Sequence, residues 1–163
     1  MPSLVRLNRR GLLATGLFAL QAFTGLARAA ELPVNTLKNS VFGGRTDTAI
    51  NGYDTVAYFT AGKPVQGRDN FVHEWMGAKW KFSSQANLEL FKASPEKYAP
   101  QYGGYCAYGV AQGSLVKVDP DQFTVREGKL YLNYDADVQA KWLKDPAGFI
   151  KTADTRFPAL LKK

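Results

Sequence analysis

Two stretches of the chain alternate apolar and polar residues around a glycine, and a helical pattern follows each. From Phe71 to Phe82 the period is close to two, the mark of a strand pair. Gly77-Ala78 suits a type II′ turn, whose first central position favours glycine. That turn sets Trp75 across from Trp80, Glu74 across from Lys81 and His73 across from Phe82. Ser84 then caps a helix with Leu88 and Phe91 on its apolar stripe. Ser94-Pro95 ends that helix and opens a short turn carrying Tyr98.

The later half repeats the plan. Phe123 to Asn133 reads as a hairpin about Glu127-Gly128, with Phe123 across from Leu132 and Val125 across from Leu130. Asp135 caps a helix bearing Val138 and Trp142, and Asp145-Pro146 opens the last, with Phe149, Ile150, Ala153 and Phe157. The paired caps, Ser84 with Asp135 and Ser94 with Asp145, stand 51 residues apart, which points to a hairpin–helix pseudo-repeat. The fold class expected is α+β, with small antiparallel hairpins covered by helices.

Upstream, Asn51-Gly52-Tyr53-Asp54 is a turn signal, and Asp54 suits the N-cap of a short helix through Val56, Ala57, Tyr58 and Phe59. Gly62 stops it before Pro64. Residues 30–48 have little periodicity and read as an extended arm over the surface, leaving 49–163 as the domain.

The first 29 residues read as an address. Arg6, Arg9 and Arg10 form a basic n-region, residues 11–26 are apolar, and Ala27-Arg28-Ala29 is a cleavage pattern. Asn8 to Leu13, with the Arg9-Arg10 pair, resembles a twin-arginine export signal. The expectation is a periplasmic protein starting at Ala30, with no stable membrane insertion after leader cleavage. Without the leader's four arginines, 17 basic groups face 14 acidic ones, too small a surplus to predict nucleic-acid binding. The single cysteine excludes an internal disulfide, so stability must come from burying the aromatics.

That cysteine lies in the densest aromatic stretch, Tyr98 to Tyr108, beside Gly103 and Gly104. Three readings are open for Cys106: a buried space-filling thiol, a ligand, or a nucleophile. As a ligand it would join His73 and Met76 in a soft set suited to copper. As a nucleophile it needs a lowered pKa and a base, and His73 is the single histidine. Tyr53, Asp54, Tyr58, Tyr102, Tyr105 and Tyr108 are candidates for the walls of a small-molecule pocket, or else core rings with hydroxyls turned to water. No paired carboxylates, phosphate loop or Ser/His/Asp set points to hydrolase or nucleotide chemistry.

The run Trp75-x-Gly77-x-x-Trp80-x-Phe82-Ser83-Ser84-x-x-Asn87-x-x-x-Phe91-x-x-x-Pro95-x-x-Tyr98, continued by Tyr102 to Ala107, resembles the YHS domain. The blocks Gly52 to Phe59 and Gly128 to Asn133 resemble the flanks of longer, exported members. The resemblance implies a treble-clef-like core and a metal-binding module of the kind found in copper-transporting ATPases and beside oxygenase subunits. The metal-type members carry a cysteine after the Phe of the second strand and another in the first helical turn. Those positions are Ser83 and Asn87 here, so the thiolate pair of a zinc site is missing.

Two function classes follow. One is a periplasmic binding module for copper or a small ligand, serving metal handling, a metal transporter or a redox enzyme. The other is a thiol-dependent enzyme using Cys106.

Overall fold

Both hairpins close through two consecutive residues in the left-handed region, Met76-Gly77 (φ 50° and 74°) and Glu127-Gly128 (φ 51° and 72°). The computed structural model describes residues 34–38 and 44–162; the expected leader, 1–29, lies outside them. Strands β1 (Arg68–Trp75) and β2 (Ala78–Phe82) form one antiparallel pair, and β3 (Asp119–Arg126) and β4 (Lys129–Asn133) another. The helices are α1 (Ala57–Thr60), α2 (Gln85–Ala93), α3 (Pro95–Tyr98), α4 (Ala107–Ala111), α5 (Ala136–Trp142) and α6 (Pro146–Leu160). The fold is α+β.

The first hairpin differs from expectation. Its centre is Met76-Gly77, so Trp75 faces Ala78, Glu74 faces Lys79 and His73 faces Trp80. Two successive left-handed residues twist with the strands as a type I′ turn does, and glycine takes the second place. Methionine pays a steric cost at the first, which is why the sequence points instead to Gly77-Ala78. The second hairpin pairs as expected, Phe123 with Leu132 and Val125 with Leu130.

The pseudo-repeat is real in space and begins earlier than the hairpins. Each unit opens with a left-handed turn, Ala49–Gly52 or Gln101–Gly104. In the first, Ile50, Asn51 and Gly52 have φ of 50°, 53° and 79°; in the second, Tyr102, Gly103 and Gly104 have 57°, 61° and 82°. A β-branched residue at positive φ is strained. Ile50 is held there because its N–H donates to Asn35 O (3.0 Å) and its side chain is 1% exposed. Both units carry a β-bulge at the matching place, after Arg68 and after Asp119. Ser84 and Asp135 cap α2 and α5 through the N–H groups of Asn87 and Val138.

The arm is not a surface element throughout. Val34 and Asn35 are buried, and Asn35 ties the two left-handed turns together. Its N–H donates to Gly103 O (2.8 Å) and its side-chain amide to Gly104 O (2.9 Å). Gly104 must be glycine, since a Cβ there would run into the Ile50 side chain.

Buried side chains form two clusters. One gathers Trp80, Phe82 and Phe91 with Leu130, Leu132 and Cys106; the other holds Tyr105, Val110, Tyr131, Trp142, Ala153 and Phe157. β4 lies between them and is buried on both faces, whereas β2 buries Ala78, Trp80 and Phe82 and exposes Lys79.

Candidate functional site

The most heavily bonded side chain among the described residues is Asp54, which is 0% exposed. It follows the first left-handed turn, which aims its carboxylate inward. Oδ1 accepts from the N–H groups of Val56 (2.9 Å) and Ala57 (3.2 Å), the capping role expected of it. Oδ2 accepts from Ser83 N (2.8 Å), Ser83 Oγ (2.6 Å) and Asn87 Nδ2 (2.7 Å). One carboxylate thus joins the start of α1, the end of β2 and the first turn of α2. Five donors stabilise a buried anion that would otherwise be costly. Ser83 and Asn87, where the metal-type members carry cysteines, are both committed to it.

Cys106 holds the corresponding place after the second left-handed turn and is also 0% exposed. Its Sγ accepts from Gly109 N (3.3 Å), and its thiol donates to Asn133 Oδ1 at 3.8 Å. Burial pushes the thiol's pKa up, opposed by the N–H groups of Gly109, Tyr134 and Tyr108. The group at neutral pH is therefore a thiol, not the thiolate that nucleophilic catalysis needs. Asn133 is fully buried too, and its Nδ2 finds no partner.

The other candidate ligands are His73 and Met76. The half-buried His73 ring lies edge-on to Phe91, 6.2 Å between centroids. Met76 sits at the hairpin turn, packed against the first cluster. Among the described residues no group of three His, Cys, Asp or Glu side chains is arranged to hold a metal ion.

The six pocket candidates are dispersed as well. Tyr58 donates to Pro120 O (3.0 Å) and its ring lies 4.8 Å from Phe123. Tyr102 donates to Asp154 Oδ1 (2.9 Å), and Tyr105 accepts from Arg45 Nη1 (3.1 Å). Tyr108 packs edge-on against Phe149, and Tyr53 pairs by its backbone with Gln66. Burial raises the phenol pKa of Tyr58 and Tyr102, with the bond to Asp154 adding to the shift at Tyr102.

Of these six, Tyr102 lines an open groove of about 370 Å³ where the units meet. It is lined by Trp75 and Met76 from the first hairpin, Glu96 from α3, and Tyr102 and Phe157 from the second unit. Sequence reasoning missed this groove, because its walls are brought together from residues 75 to 157. The signal for the Asp54 lock was fainter still: two polar residues, Ser83 and Asn87, interrupting an apolar pattern.

Residues 56–102 match the YHS domain. The match runs from the start of α1 through the first hairpin, α2 and α3 into the second left-handed turn, and points to a metal-related binding module. The second hairpin and its helices lie beyond the matched residues of the YHS domain. No curated protein and no solved structure matches the chain.

Proposed function

We propose that the chain is an exported YHS-type binding module that takes a small cation in the groove between its two units. The groove carries this reading: Trp75, Met76, Glu96, Tyr102 and Phe157 line one space of ligand size. Ring faces and a carboxylate attract an organic cation, and a thioether adds affinity for a soft metal ion such as cuprous copper. Export to the periplasm rests on the leader-like residues 1–29. Delivery to a redox enzyme or a metal transporter would follow from such a cargo. The thiol-enzyme alternative lacks an activated nucleophile, since Cys106 is enclosed and protonated.

Native mass spectrometry of the protein recovered from its own periplasm tests the reading, followed by anaerobic titration with cuprous ion and, separately, with tetramethylammonium. Binding of either probe should weaken about tenfold in Glu96→Gln, by the loss of one charge contact. Met76→Leu should weaken the cuprous titration alone. A wild-type protein that is recovered bare and binds neither probe would sink the proposal.

A further inference from the structure

We infer that this chain is one structural unit used twice, each copy locked by a buried hydrogen-bond acceptor at the same place, Asp54 in the first and Cys106 in the second. Cys106 is then a structural acceptor, and neither unit needs a metal ion to hold its shape. The inference is independent of the groove.

The correspondence is atomic. Asp54 N donates to Val65 O (2.9 Å), and Cys106 N donates to Val116 O (3.3 Å). Asp54 accepts from the N–H groups of Val56, Ala57 and Ser83. The Cys106 sulfur accepts from the N–H of Gly109 (3.3 Å), three residues on as Ala57 is from Asp54, and its thiol donates to Asn133 at the end of β4. Either side chain therefore links its left-handed turn to the end of its own hairpin.

The units part where side chains complete the lock. Ser83 Oγ and Asn87 Nδ2 serve the carboxylate, and their counterparts are Tyr134 and Val138, which bring no equivalent donor. A neutral thiol needs an acceptor for its own hydrogen, and Asn133 Oδ1 provides one. By the resemblance, metal-type YHS members carry a thiolate pair at the positions that are Ser83 and Asn87 here. A hydroxyl and an amide already bonded to Asp54 do not fit that role. The acceptor stands where cross-linking by a metal would otherwise be expected.

Cys106→Ser and Cys106→Ala separate this role from packing, ligation and catalysis. Serine keeps an acceptor for the Gly109 N–H, so its melting temperature should stay within about 3 °C of wild type. Alanine leaves that N–H unpaired and should melt roughly 5–10 °C lower. A filler thiol would give the opposite order, because a buried hydroxyl is worse than a methyl in an apolar hole. That order would overturn the inference. Should neither variant fold, the wild-type chain decides. Dialysis against a strong chelator should leave its melting temperature unchanged, and a thiol reagent should label Cys106 at the rate of unfolding. Destabilisation by the chelator, or labelling within seconds under native conditions, would each refute it.

Discussion

The two units share turn, bulge, hairpin and caps, yet they treat their strands and their locks differently. β2 presents one face to the core and the other largely to water, while β4 is wedged between the clusters and buried on both. Asp54 has five donors, and Cys106 has a close N–H and a long thiol bond. The lesson is that left-handed turns and glycine-centred hairpins fix the frame. The chemistry of the lock is free to change as long as something accepts the same backbone N–H groups. A carboxylate makes the tighter lock because its bonds are charge-assisted.

The largest expected effect tests that ranking. Asp54→Ala leaves the N–H groups of Val56 and Ser83 and the Ser83 hydroxyl without their acceptor. Ala57 N–H keeps the Asp54 carbonyl, and the Asn87 amide keeps a long bond to Ser83 Oγ. The cost is about 1–3 kcal/mol for each orphaned donor that stays buried. A loss of about 4 kcal/mol or more is expected, a large share of the 5–15 kcal/mol typical of a whole domain. Urea midpoints should place Asp54→Ala well below Cys106→Ala. Equal losses would mean the two locks carry the same load, against the bond pattern.

The left-handed turns come next. Gly104→Ala combines a positive φ with collision against Ile50, and about 2–3 kcal/mol should be lost. Gly113 has a similar φ of 88° but open space around it, so Gly113→Ala should cost about 1–2 kcal/mol. Similar denaturant midpoints for the two would argue that the contact between the turns contributes little.

How far the sequence could be read follows the same divide. The second hairpin was legible because Glu127-Gly128 is centred where glycine takes the second place of the turn. The first was misread by one position because Met76 carries the strain that a glycine would avoid. Caps were legible, since Ser84, Asp135 and Asp54 bond within three residues of themselves. The rest of the Asp54 lock was not, because Ser83 and Asn87 lie 29 and 33 residues away and only the fold joins them. The same limit hides the neighbours of the one thiol and the one imidazole. Cys106 faces Asn133, and His73 faces Phe91.

Alkaline titration should reveal the buried protons. Burial raises the folded pKa of the Cys106 thiol and of the Tyr58 and Tyr102 phenols above their ordinary values. Each is neutral when protonated, so the folded state binds its proton more tightly than the unfolded state does. That stability is complete below the unfolded pKa and is lost as pH rises towards the folded one. The melting temperature should be level between pH 7 and 8, fall from about 8.5 and fall faster beyond about 10, where free thiols and phenols ionise. Cys106→Ser should remove the first decline and keep the second. A profile unaltered by the substitution would mean the thiol titrates alike in both states.

The smallest effect compares one position across the units. Lys81 in β2 corresponds to Leu132 in β4, 51 residues on. The Lys81 ammonium lies 2.5 Å from Asp69, whose side chain is 91% exposed, not beside Glu74 as the expected register had it. Screening by water and the entropy of holding the long lysine side chain leave such a pair little net value, so Lys81→Ala should cost no more than about 1 kcal/mol. Leu132 is 0% exposed in the first cluster, and Leu132→Ala should cost about 2–5 kcal/mol through lost burial and a cavity. The gap between them measures what burying the second face of β4 adds. Should Lys81→Ala prove as damaging as Leu132→Ala, β2 would also be holding core on its outer face, and the units would differ less than their exposure indicates.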